Sequence, residues 1–189
     1  ALLGAEALVR WRHPVRGEIR ADVLIAVAEE AGLIKEVGRW VTRVAVAQAK
    51  RWPTPPGHPP LHVSINASPL ELDAPGFAGH LLDCVAEAGL PVNRVMLEIT
   101  ESTSVRDDPV TQQNLRLIDE AGIVLCIDDF GVGTSSLSRL HAIRARRLKV
   151  DRSFLDGMME HTDRRTTVTM IIRLAEALHF DVVCEGIND

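Results

Sequence analysis

Short apolar runs alternate along this chain with longer stretches of helical period, a pattern that predicts an α/β protein with a mostly parallel sheet. Six runs read as strands: 2–11 (LLGAEALVRW), 61–68 (LHVSINAS), 94–102 (RVMLEITES), 123–130 (IVLCIDDF), 145–151 (ARRLKVD) and 180–186 (FDVVCEG). Most of the intervals hold a helix with its own punctuation. Helices are expected over 22–31 and 34–52, the second stopped by the proline-rich loop PTPPGHPP. Ser68 followed by Pro69 reads as an N-cap with proline in the first helical position, and Gly89 and Gly122 stand where helices should end. Asp163 is the expected cap of the helix RRTTVTMIIRLAEALHF.

The predicted strands end in polar residues. Glu6, Asn66, Glu98, the pair Asp128 and Asp129, Lys149 and Glu185 each stand just before a loop. The later ones recur at intervals of 32, 30, 21 and 36 residues (66 to 98, 98 to 128, 128 to 149, 149 to 185), which suits successive βα units of about 30 residues. Such a sheet either opens as a doubly wound fold or closes as a barrel, and both place their sites at the carboxyl ends of the strands. The two-residue strand period puts Glu6 on one face with Leu8 and Arg10, Glu98 with Met96 and Thr100, Asp128 with Val124 and Cys126, and Lys149 with Asp151.

Two adjacent aspartates at the end of a buried run repel each other, so a positive partner is expected beside them. Five carboxylates with one amide, and no His or Cys pair at ligand spacing, describe an oxygen-donor site for a hard cation such as magnesium, manganese or calcium rather than zinc. The seven histidines form no HExxH motif, and the glycines of DDFGVGTSS match neither GxxxxGK nor GxGxxG. That segment reads as a loop over the site, and the RARRLK cluster as a solvated face from which only Lys149 joins the site.

Composition narrows the picture further. The 189 residues, 46% hydrophobic and 25% charged, fit one globular domain without linker or internal repeat. A formal net charge of -5 supplies no overall positive field for nucleic acid, so an anionic substrate needs local cations. Apolar stretches fall short of the roughly 20 residues of a membrane-spanning helix. The expectation is a soluble, cytoplasmic domain without DNA or membrane contact, within a longer protein that could still be membrane-tethered. Cys84, Cys126 and Cys184 suggest free thiols rather than disulfides.

Six segments in this order, GAEALVRWRHP, SINAS, LEITES, IDDFGVGTSSL, LKVDRSFL and CEGI, resemble the EAL family of cyclic di-GMP phosphodiesterases, whose name is carried here by Glu6, Ala7 and Leu8. The resemblance implies a modified (β/α)8 TIM-type barrel with its first strand antiparallel. It extends over 1–189, with about six of eight strands present and the family's first and last strands expected outside this stretch. It implies metal-dependent hydrolysis of one phosphodiester bond of cyclic di-GMP to linear pGpG, with a two-metal site for Mg2+ or Mn2+. Glu6, Asn66, Glu98, Asp128 and Asp129 would be metal ligands, Asp128 bridging, and Glu185 would act through water. Lys149 would position the attacking water, so Lys149, Glu185 and Glu6 form the catalytic set. Arg10, Leu8 and Asp151 would bind substrate, Arg10 through the phosphate, and Glu101 would steady the loop from Phe130 to Leu137. Accessory sensory or GGDEF-type domains in the full-length protein and a homodimer are the partners the resemblance allows. Thr134 and Asn188 depart from the family's usual Tyr and Glu. Two other readings compete: a catalytically silent receptor for cyclic di-GMP, and a barrel aldolase using Lys149 as a Schiff-base nucleophile, which requires a depressed lysine pKa.

Overall fold

The computed structural model describes residues 2–54, 56–101, 108–131, 144–158 and 160–186. The strands are β1 (Gly4–Ala7), β2 (Trp11–His13), β3 (Gly17–Ile19), β4 (His62–Asn66), β5 (Val95–Thr100), β6 (Val124–Phe130), β7 (Arg147–Val150) and β8 (Asp181–Cys184). The helices are α1 (Ala21–Glu30), α2 (Ile34–Lys50), α3 (Pro69–Leu72), α4 (Phe77–Ala88), α5 (Pro109–Glu120), α6 (Arg152–Leu155) and α7 (Thr162–Ala177), with a 3-10 turn at Val92–Arg94. Strands hydrogen-bond in the order β1-β4-β5-β6-β7-β8, and β1 with β4, β6 with β7 and β7 with β8 pair in parallel. This is the α/β architecture with a six-stranded parallel sheet expected of the barrel family. The chain divides into two compact units, Ala1–Leu97 with Asp108–Ile123, and Glu98–Asp107 with Val124–Asp189.

In the first unit, the buried side of α2 carries Thr42, Ala45, Val46 and Ala49, small residues at helical spacing that let α2 lie close against β4 and α4. From α4 come Ala78, Leu81, Cys84 and Val85, and from α5 Thr111, Asn114, Leu115 and Ile118. Ser68 caps α3 as its sequence suggested, in a reciprocal box with Glu71 and with Pro69 in the first turn. That helix stops at Leu72, however, and α4 begins anew at Phe77. The buried amide of Asn114 holds the joint, donating to the carbonyls of Leu72 (2.8 Å) and Ala74 (3.0 Å) and accepting from the N–H of Ala78 (3.3 Å). Arg94, also buried, donates to the carbonyls of Leu61 (2.8 Å) and Ala49 (2.9 Å), tying the entry of β4 to the end of α2.

The first predicted strand needs correction. Only Gly4–Ala7 is strand in the main sheet, and the chain then makes a small antiparallel hairpin, β2 with β3. His13 causes it, since its Nδ1 accepts the backbone N–H of both Val15 and Arg16 (3.1 Å each) and Gly17 supplies the left-handed turn residue at φ 75°. Leu8 and Arg10 therefore lie beyond β1, and strand parity does not set the side they share with Glu6.

The second unit packs β6, β7 and β8 against α6 and α7 around Ile127, Phe130, Leu148, Val150 and Ile171. Helix α7 begins earlier than predicted, at Thr162 with His161 as its N-cap, so Asp163 lies inside the first turn. An acid there still complements the positive end of the helix dipole. Gly89 and Gly122 do end α4 and α5, with φ of 61° and 89°. Among the described residues no helix is long and apolar enough to cross a membrane.

Candidate metal and phosphodiester site

The aspartate pair sits in a β-bulge. Register runs Ile127 opposite Leu148 and then Phe130 opposite Val150, so Asp128 and Asp129 together face the single residue Lys149. Asp129 is in the left-handed region at φ 53°, a conformation that Asp tolerates better than most side chains. The bulge breaks the alternation after Asp128, which parity alone could not foresee.

Lys149 is buried at 6% exposure, and its ammonium meets three carboxylates: Glu98 Oε2 at 2.9 Å, Asp128 Oδ2 at 3.2 Å and Glu185 Oε1 at 2.6 Å. An ammonium has three N–H donors, matched here by three anionic acceptors. Among the described residues, three negative charges face this one positive charge, a surplus of two in a poorly solvated place. Burial alone would lower the lysine pKa, but the hydrogen bonds to Glu185 and Glu98 and the charges of Glu98 and Asp128 outweigh it and hold the pKa above its ordinary value. This contradicts the aldolase alternative, because a Schiff-base lysine needs the opposite shift.

Asp129 is exposed, yet its carboxyl is pushed up by partial desolvation and then by the charges of Asp128, Asp151 and Glu185. Glu101 is buried and accepts the N–H of Gly131 at 2.9 Å, directly after the bulge. Residues 132–137 of the predicted loop, like Thr134 and Asn188, lie outside the described residues. Asp151 does not continue β7. It caps α6, accepting the N–H of Ser153 at 2.9 Å, and that bond holds its pKa below the usual range.

In the first unit, Asn66 at the end of β4 donates its amide to Glu6 Oε1 at 2.7 Å, and both residues are exposed. Leu8 and Arg10 line an open cavity of about 400 Å³ with Glu6, Trp40, Val44 and Trp52. Arg10 is exposed and donates to the carbonyl of its neighbour Val9 at 3.0 Å.

Oxygen donors with surplus negative charge fit a divalent hard cation. Cys126 lies in the same strand as Asp128 but offers no thiolate, since burial and the charge of Glu98 push its thiol up to about 12. At pH 8 Cys126 is therefore expected to resist iodoacetamide in the native protein and to react in denaturant. Rapid native labelling, read by mass spectrometry, would mean that β6 opens. The three thiols are free, and Cys184 is only half-buried, unlike Cys84 and Cys126. Sequence reasoning missed Arg152 and Phe154, which rest against Gly186 and Gly131. The available signal was the Asp-x-Ser cap immediately after Lys149, which starts a helix there.

These features define an α/β domain with an acidic site at its strand ends. A family model for the EAL domain matches residues 1–189, and the chain belongs to that family. An uncharacterized signaling protein of Caulobacter vibrioides is 39% identical over 98% of this chain and 22% of its own length. MucR of Pseudomonas aeruginosa, a bifunctional diguanylate cyclase/cyclic di-GMP phosphodiesterase, is 33% identical over 99% of this chain and 27% of its own length. The structure of the MucR phosphodiesterase in complex with c-di-GMP matches with a TM-score of 0.91 at 33% identity, covering 100% of this chain and 76% of that one. Klebsiella pneumoniae BlrP1, in a manganese/cy-diGMP complex, matches with a TM-score of 0.80 at 29% identity, covering 98% of this chain and 45% of that one. The first listed curated relatives are much longer than this chain, which spans 22% of the Caulobacter protein.

Proposed function

We propose that this domain hydrolyses one phosphodiester bond of cyclic di-GMP to linear pGpG, using Mg2+ or Mn2+. The observation that carries the reading is the cluster of Glu98, Asp128 and Glu185 on one buried lysine, whose surplus negative charge suits a divalent cation. Membership of the EAL family and likeness to the MucR phosphodiesterase in complex with c-di-GMP support the same reading. Divalent ions bound there would provide a hydroxide at neutral pH and shield charge on the leaving 3′-oxygen.

The chain's own residues divide the remaining work. Glu98, Asp128 and Asp129, with Glu6 and Asn66, are the oxygen donors for the ions. Lys149 acts as a hydrogen-bond donor, orienting the attacking water and offsetting phosphate charge. Glu185 accepts from Lys149 and would act on a metal ion through water. Arg10 pairs with the phosphate, with Leu8 and Asp151 beside the substrate, and Glu101 fixes the turn at Gly131. We place the domain in the cytoplasm of a bacterial cell, as part of a longer signalling protein with sensory or GGDEF-type domains.

Incubation with cyclic di-GMP and either ion is expected to yield pGpG, read by chromatography, with activity abolished by EDTA and restored by excess metal. Tight binding without turnover would instead favour the silent receptor.

A further inference from the structure

Helix α6 follows Lys149 by only two residues and is only four residues long, yet it touches both turns that leave the acids of the second unit. Gly131 comes two residues after Asp129, has φ 98°, and presents its α-carbon to the ring of Phe154. A Cβ built there would lie 2.8 and 2.9 Å from two ring carbons. Gly186 comes directly after Glu185 and has φ 72°. A Cβ there would lie 2.6 and 2.7 Å from Cγ and Cδ of Arg152. Both glycines are thus required twice over, by backbone conformation and by a side chain from α6 seated on them.

The seats are themselves anchored. Phe154 packs against the cluster of Phe130, Leu148, Val150 and Ile171, while the guanidinium of Arg152 is tied to Asp156 with Nε to Oδ1 at 3.2 Å, leaving its stem over Gly186. Asp151 caps the helix, and the N–H of Gly131 is held from its other side by Glu101. We infer that Phe154 and the aliphatic stem of Arg152 are positioning residues, a brace by which α6 fixes Gly131 and Gly186 and so sets the placement of Asp129 and Glu185. Neither side chain needs to touch an ion or the substrate. Its kinetic consequence rests on the phosphodiesterase reading; its effect on metal retention and backbone exchange does not.

The test uses the whole chain. Phe154→Ala is expected to raise the Mn2+ dissociation constant about tenfold, in line with the loss of residues that orient metal ligands. It should also speed amide exchange at Gly131, and lower kcat while KM for cyclic di-GMP stays within about twofold. Phe154→Leu should recover most of the loss by keeping bulk on Gly131, and Phe154→Val serves where Phe154→Ala does not fold. Arg152→Met, which keeps the stem and drops the charge, should behave as wild type, whereas Arg152→Ala should speed exchange at Gly186 and weaken Mn2+ binding. Unchanged Mn2+ affinity and exchange in Phe154→Ala and Arg152→Ala, with only a lower Tm, would overturn the brace. So would Arg152→Met failing as badly as Arg152→Ala. If the wild type does not hydrolyse cyclic di-GMP, the phosphodiesterase reading fails, and the Mn2+ and exchange results still decide the brace.

Discussion

Lys149→Met is expected to lower the unfolding free energy by about 3–5 kcal/mol in chelator and to abolish turnover, because it removes the cation from three carboxylates at a buried position. The pH dependence separates this from simple loss of packing. In the wild type the folded pKa of Lys149 is raised above its ordinary 10.5, so its contribution is fully present below the unfolded pKa and is lost only as pH rises through the higher folded value. Between pH 5 and pH 9 that contribution is constant. In the variant Glu98, at 3% exposure, loses the ammonium of Lys149, and burial then favours its protonated form when folded. The folded variant then binds more protons than the unfolded one, and its stability falls as pH rises. The gap between wild type and variant should widen from pH 5 to pH 8 and narrow when Mn2+ is added, since acids no longer neutralised by the ammonium should bind the ion more tightly than in the wild type and gain more stability from it. Equal stability in urea melts with EDTA at both pH values would contradict the charge balance described for the site.

Much of this was legible in the sequence because it depended on local rules. Strand periodicity gave β4, β5 and β6 to within a few residues, since each is an apolar run bounded by turn residues, and β5 is buried without interruption from Val95 to Ile99. Ser68 capped its helix as expected because the reciprocal pair with Glu71 lies within one turn. Nonlocal features were not legible. The hairpin after β1 depends on which atom of His13 accepts the next two N–H groups, and no periodicity records that. The bulge needs the register of a partner strand, so the meeting of Asp128 and Asp129 with Lys149 could be guessed from charge but not from spacing. Asp151 shares the strand period with Lys149 in sequence, but its side chain turned to the N–H of Ser153 and ended the strand. The contacts of Arg152 and Phe154 depend on where two distant glycines come to rest, which is a property of packing.

The sharpest contrast available within the bulge is between its two aspartates. Asp128→Asn is expected to lower kcat by roughly 10²–10³-fold, since weaker neutralisation of the transition state by a divalent cation costs several kcal/mol. The fold should survive, because an amide matches the carboxylate in shape. Yet the amide cannot serve both neighbours: Asp128 Oδ1 accepts the N–H of Asp129 at 2.9 Å and Oδ2 accepts from Lys149 at 3.2 Å. One of those acceptors must become an NH2 facing a donor, so Asp128→Asn should also be less stable in EDTA. Asp129→Asn should behave differently. Its carboxyl is raised by desolvation and by the acids around it, so neutralising it relieves repulsion, and Asn accepts the left-handed backbone at φ 53° readily. Asp129→Asn is therefore expected to lose activity while becoming as stable as the wild type or more so without metal, where Asp128→Asn becomes less stable. Near wild-type hydrolysis by Asp128→Asn would show that this carboxylate holds no ion, and a loss of metal-free stability in Asp129→Asn would show that its repulsion is already relieved by the protein itself.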